Sequence, residues 1–283
     1  MKLLNLFLSS LIILSCSSEE NGSEINETTE PVLTASNFSP NSEGSYWKYD
    51  VDSSSTDLPE MDFTSTDSLY VVSTSNTTYT LNANNGMGAD GSMNSILTSG
   101  SLSITNTTLI YSGALDLPID LLVDQALEIS DLSLIDLEAD NGAVLSTIEG
   151  AFSETIDIQE TMIPINVNFE LLTTKENLYD SKTVNGVSYT NVYEGTLNFN
   201  ISVTGTITIS GFSVNVNIIE PQDILSIRYY YGADIGLLRA ESNQGFELAP
   251  DIIALIAEAD GGNELPSSAT VTGIEALSNY MIN

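Results

Sequence analysis

The chain of 283 residues carries 39 acidic residues against 6 basic ones and no histidine, a net charge of −33. Such a surface repels nucleic acid and anionic lipid headgroups, and without imidazole there is neither a Ser-His-Asp triad nor a histidine-ligated metal. The single cysteine, Cys16, has no disulfide partner in the chain, so the fold has to stand on its core alone.

Residues 1–15 read as a signal peptide. Lys2 gives a short positive start, and Leu3 to Leu14 form an apolar stretch too short to span a bilayer, which needs about 20 apolar residues. The stretch ends in Ile13-Leu14-Ser15-Cys16, which resembles the lipobox of bacterial lipoproteins. That resemblance implies diacylglycerol on the Cys16 thiol and cleavage after Ser15, and two or more acyl chains at one residue anchor a protein durably. Ser17-Ser18-Glu19-Glu20 lacks the aspartate that tends to retain lipoproteins at the inner membrane. Its glutamates are similar to the surface-export signal of Bacteroidetes lipoproteins. The resemblance implies an outer-membrane lipoprotein, facing outward in preference to the periplasm.

Residues 16–41 are polar and acidic, a lipidated cysteine followed by a solvated tether with a reach of roughly 25 Å. Residues 42–283 are predicted to form a single antiparallel β domain. Strands are expected near Trp47–Val51, Leu69–Ser73, Thr78–Asn82, Leu102–Thr105 and Leu109–Ser112. Leu115–Leu137 alternates at first and then fits no template. Ile163, Ile165, Val167, Phe169 and Leu171 alternate with polar residues, and Pro164 marks an edge or a strand start. Another strand is expected at Ser188–Tyr193. The clearest run is Leu197, Phe199, Ile201 and Val203, continued by Ile207 and Ile209. Its parity flips at Ser210-Gly211, a turn or bulge, into Phe212, Val214, Val216 and Ile218. Ile224–Tyr231, Gly236–Glu241 and Val271–Tyr280 follow. Turn signals separate the strands at Asn84-Asn85-Gly86, Asp90-Gly91, Asn141-Gly142, Asn185-Gly186 and Gly232-Ala233-Asp234, with Asn-Gly the strongest hairpin signal. One helix is expected over 250–259, started by Pro250-Asp251 and stopped by Gly261-Gly262. The expected fold class is mainly all-β: a large curved antiparallel meander, half-barrel or barrel-like, with that one short helix.

Two ends of the domain carry a further resemblance. Phe38-Ser39-Pro40 and Gly44-Ser45-Tyr46-Trp47-Lys48-Tyr49 open it, and Tyr229-Tyr230-Tyr231-Gly232-Ala233-Asp234-Ile235-Gly236-Leu237-Leu238-Arg239 comes near its close. These are similar to bacterial envelope lipoproteins that begin near a Phe-Pro, Gly, Trp, Tyr pattern and end near Tyr-Tyr and Gly-Val-Gly-Leu-Val-Lys. The resemblance implies a curved sheet of the kind used by lipoprotein carriers and names no ligand. Ser39, Asp234-Ile235 and Leu238-Arg239 depart from the pattern.

Trp47 and the Tyr229–Tyr231 run are the candidate ligand-binding residues, as an aromatic platform. Core packing is the competing reading, and alternation should turn at least one of the three tyrosines outward. No phosphate loop or Gly-x-Ser-x-Gly elbow occurs, and no catalytic residue is assigned. A glycosidase needs only two carboxylates, but nothing singles out a pair among so many. No cofactor is expected. Calcium is the one ion the donors suit, at Glu138, Asp140 and Asn141 or at Glu258 and Asp260, and neither loop fits an EF-hand. Asp67-Ser68-Leu69 fits a short Bacteroidetes O-glycosylation pattern. The sequence thus predicts a non-enzymatic, outer-membrane lipoprotein. Its partners would be the bilayer through Cys16 and a hydrophobic ligand, a glycan or an envelope protein, and not nucleic acid. The alternatives are a surface glycan-binding accessory protein and a carboxylate-based glycoside hydrolase.

Overall fold

Alternation of apolar and polar side chains gives each strand one dry and one wet face. In β1 (Tyr46–Ser55), Trp47, Tyr49 and Val51 are buried while Lys48, Asp50 and Asp52 face solvent. In β9 (Val187–Ile209), Leu197, Phe199, Ile201 and Val203 are buried, each contributing about 1.5–3 kcal/mol. The computed structural model describes residues 32–56, 61–75, 77–116, 126–158, 161–209, 212–250, 252–253 and 266–283. Cys16 and the tether before residue 32 lie outside them.

The remaining strands are β2 (Phe63–Thr74), β3 (Thr78–Ala83), β4 (Gly100–Ile104), β5 (Thr108–Asp116), β6 (Ala126–Asp136), β7 (Val144–Ile158), β8 (Thr161–Val184), β10 (Phe212–Gly232), β11 (Gly236–Glu247) and β12 (Ser268–Met281). All twelve form one antiparallel sheet in the order β6-β5-β4-β3-β2-β1-β12-β11-β10-β9-β8-β7. It is a pure meander except at its middle, where the first and last strands pair, Tyr46 opposite Met281 and Ser55 opposite Val271. The sheet curls into a nearly closed barrel, so the expected fold class is the observed one. The strands differ greatly in length: β8, β9 and β10 have 24, 23 and 21 residues, and β3 and β4 have 6 and 5. One wall therefore rises well past the other.

The sheet's two edges, β6 and β7, are consecutive in sequence and share no strand ladder. Side chains satisfy the β6 backbone instead. Thr173 Oγ1 donates to the Ser133 carbonyl at 2.7 Å and Tyr229 Oη to the Leu134 carbonyl at 2.7 Å. The Ser133 N–H donates to Ser146 Oγ at 2.9 Å, and the Asp136 N–H to Tyr193 Oη at 3.4 Å. The Lys175 ammonium donates to the Leu137 and Ala139 carbonyls at 3.0 and 2.6 Å. An unpaired edge normally exposes such groups; here the interior side chains of the opposite wall close the seam.

The turn residues divide into two groups. Asn185-Gly186 makes the expected two-residue hairpin between the paired Val184 and Val187, with φ of 51° and 78°, a left-handed pair suited to Asn-Gly. Asn84-Asn85-Gly86 and Asp90-Gly91 do not make hairpins. Both lead into an excursion that carries an unpredicted helix, α2 (Ser92–Thr98), against the inner face of the sheet, where Met93, Asn94, Ile96 and Leu97 are buried. Asn141-Gly142 joins β6 to β7, which do not pair. Pro164 falls near the start of β8, paired with β7 but one residue before the ladder with β9 begins at Ile165, so it stands on a locally open edge at the strand start. Of the helix expected over 250–259, residues 250, 252 and 253 are helical, and the Ile252 and Ile253 N–H groups donate to the Ala249 carbonyl at 3.1 and 3.2 Å. The rest lies outside the described residues.

Residues 33–41, expected as the end of the tether, belong to the compact unit that begins at Leu33. Phe38, in the short helix α1 (Ala35–Phe38), is fully buried and meets Tyr193 edge-on. The segment reads as polar, but Ala35 and Phe38 at helical spacing are buried, Leu33 packs on the same core, and the Ala35 N–H donates to the Asn106 carbonyl at 2.9 Å.

Candidate functional site

A helix of seven residues is too short to hold itself together, so α2 depends on what clamps it. Asp67 of β2 is fully buried and accepts from the Asp90 and Gly91 N–H groups at 2.9 Å each, from Asn84 Nδ2 at 2.9 Å and from Asn94 Nδ2 at 3.1 Å. Glu275 of β12, 2% exposed, accepts from the Met93 and Asn94 N–H groups at 2.7 and 2.9 Å. Two strands that flank β1 thus each supply one carboxylate to the start of the helix, where unpaired N–H groups point outward. Gly91 has no Cβ because the Glu275 carboxylate occupies that space. Burial pushes the Glu275 carboxyl up to about 7; the two backbone hydrogen bonds oppose this and the neighbouring Asp67 adds to it.

The clamp floors two clefts at the barrel mouth. Ser92 and Ser95 of α2 and Ser99, which caps its end, line a cleft of about 250 Å³ with Asp90, Asp116 and Gln244, backed by Ile96, Leu115 and Leu225. On the other side of Ser92, Val51, Met61, Phe63, Val271 and Ile274 line a more apolar cleft of about 150 Å³ that reaches Glu275. The partition between them is a chain of hydrogen bonds, Gln244 Nε2 to Ser92 Oγ at 2.5 Å and Ser92 Oγ to Ser242 Oγ at 3.2 Å. Each cleft is smaller than the roughly 300–1,000 Å³ that drug-sized ligands occupy. Below them the interior is filled by one continuous apolar cluster that runs from Trp47 to Phe246.

The aromatic residues singled out in the sequence lie elsewhere. Trp47 is 5% exposed; its indole N–H donates to the Ile235 carbonyl at 2.5 Å and its ring covers Gly236, whose φ of +106° suits glycine. Tyr49 Oη donates to the Leu237 carbonyl at 3.0 Å, and Asn37 Nδ2 to Asp234 Oδ1 at 2.9 Å. The two sequence motifs of the domain's ends therefore meet as one lock at the end of the barrel opposite the clefts. Tyr229 and Tyr231 are buried inside, ring to ring at 5.9 Å. Tyr230 alone turns outward, where the Lys182 ammonium lies 4.7 Å from its ring centroid and 3.9 Å from that of Tyr179. Glu194 anchors this outer knot, accepting from Lys182 and Tyr179 at 2.7 Å each and from Arg228. Burial works against its ionised form, and those three hydrogen bonds outweigh it, so its pKa is lowered.

Asp67, part of the suggested glycosylation tripeptide, points into the barrel. At the suggested Glu138–Asn141 calcium loop, the carbonyls of Leu137 and Ala139 hold Lys175, whose charge burial opposes and Asp136 and Asp140 favour. Glu258 and Asp260 lie outside the described residues, and among those described no group of three or more acidic side chains gathers as a metal site would need. Sequence reasoning missed α2, Asp67 and Glu275. The only sequence signal was the pair of turn motifs just before Ser92–Thr98.

The chain matches no protein-family model, no curated protein and no solved structure.

Proposed function

We propose that this is a lipid-anchored outer-membrane protein whose β domain binds a small hydrogen-bonding ligand at the barrel mouth and does not carry long acyl chains. The observation that carries the reading is the polar cleft beside α2, lined by three serines of α2 and its cap, Asp90, Asp116 and Gln244 above a filled interior. Among the described residues its lining holds two carboxylates and no cation, so it suits a neutral polyhydroxylated or basic ligand and disfavours an anion. The role is binding, not catalysis. Asp67 and Glu275, the buried carboxylates nearest the cleft, are both engaged by backbone N–H groups, which leaves neither free to act on a substrate. Anchoring rests on the Ile13-Leu14-Ser15-Cys16 lipobox resemblance, and surface display on the glutamates after it.

Saturation-transfer NMR with a panel of neutral monosaccharides and basic amino acids tests the cleft. Signal from a panel member that disappears in Ser95→Trp, which fills the cleft, supports the reading. Signal that survives the substitution places the ligand elsewhere, and a silent panel leaves the cleft without the proposed ligand class; either result defeats it.

A further inference from the structure

The hairpin of β9 and β10 has a feature that neither the clefts nor the anchor uses. From Gly195 to Ile219 no residue is charged, a run of 25 in a chain where 16% of residues are charged. The other run of that length, Gly91–Leu115, forms the plug helix and the strands packed on it. The β9–β10 run instead leads out of the barrel. β10 pairs with β11 only from Leu225 onward, so its first residues stand beyond that neighbour. Along its inner face burial falls steadily toward the tip: Ile218 is 1% exposed, Val216 is partly buried, Val214 is 43% exposed and Phe212 75%.

The β7–β8 hairpin ends beside it. Ile165 pairs with Gly205, and each apex, Ile158–Thr161 and Ile209–Phe212, lies the same four residues further along. The second tip carries Met162, 64% exposed, but its apex also holds Glu160, with Asp157 just before it in the chain. The charge-free apolar tip at this end of the tall wall, away from the Trp47 lock, is therefore that of β9 and β10.

We propose that the β9–β10 tip dips into the interface of a bilayer with net-neutral headgroups. Charge separates the possible occupants. A second copy brings another −33 against this one, and like charge opposes that contact. A bilayer interface selects against charged side chains and accepts Phe and Val, which is what the β9–β10 tip carries. Penetration is shallow. The ladder between the two hairpins stops at Ile165–Gly205, so the outer edges of each tip hold unpaired backbone groups that require water. The contact is therefore interfacial and separate from anchoring through Cys16.

Phe212→Trp in the full chain reports on this contact, because the native Trp47 is buried far from the tip. With vesicles of brominated phosphatidylcholine, the indole at position 212 should shift to shorter wavelength and be quenched, while the native chain shows no quenching. Adding Val214→Asp should weaken the response about tenfold. Solvent-like, unquenched emission from position 212 on vesicles overturns the proposal. So does a blue shift that grows with protein concentration in the absence of lipid, which would assign the tip to a second copy.

Discussion

Glu275 ties the stability of the domain to pH. Its folded pKa of about 7 stands above the ordinary 4.5. Below 4.5 the group is protonated in both states. Between 4.5 and 7 the unfolded chain releases its proton while the folded one keeps it, so stability falls as pH rises through this window, by about 3 kcal/mol in all. Thermal unfolding of the native chain and of Glu275→Gln should therefore diverge between pH 5 and 8, the variant gaining relative to the native protein. Parallel curves would show that Glu275 does not titrate there. Trp47 acts through shape and one hydrogen bond. Trp47→Phe should cost about 1–3 kcal/mol by leaving the buried Ile235 carbonyl without its donor, and Trp47→Ala about 3–5 kcal/mol by opening a cavity; denaturant titration measures both. The importance of Trp47 was legible because it is the only tryptophan and stands on an alternating strand. Asp67 and Glu275 were not, since one carboxylate among 39 reveals its burial only when the strands around it are placed.

The strands were readable wherever one face is dry and the other wet, because period two leaves its mark in composition. The plug helix was hidden for the opposite reason. Seven residues make barely two turns, and what stabilises α2 is Asp67 and Glu275, brought from strands distant in sequence. The seam was hidden too, since side chains from β8, β9 and β10 replace a ladder there. Tyr229→Phe removes one of those links and leaves the Leu134 carbonyl short of a donor, a cost of about 1–3 kcal/mol. Amide hydrogen exchange should rise first in β6 and β7 and least in the β1–β12 pair. Uniform acceleration across the sheet would mean that the seam is not a separate weak point.

At the scale of the molecule, the domain starts at Leu33, and the attachment of lipid to Cys16 rests on sequence resemblance. Palmitate labelling of cells that express the native chain or Cys16→Ala decides it: label on the native chain that is lost in the variant is the expected outcome, and persistent label refutes anchoring through this residue. Charge acts over the same range. With 39 acidic side chains and three of the six basic ones held in local pairs, moderate salt should raise the melting temperature by screening self-repulsion. The pairing of β1 with β12 has a further consequence, for the order of folding. Tyr46 meets Met281 at the middle of the sheet, so each half, β1–β6 and β7–β12, forms from neighbours in sequence, but the two join only when the final strand arrives. A chain emerging from a ribosome or a translocation channel stays divided until β12 is free. Contacts that far apart along the chain also make closure slow, so truncating β12 should leave two half-sheets in place of a slightly smaller barrel.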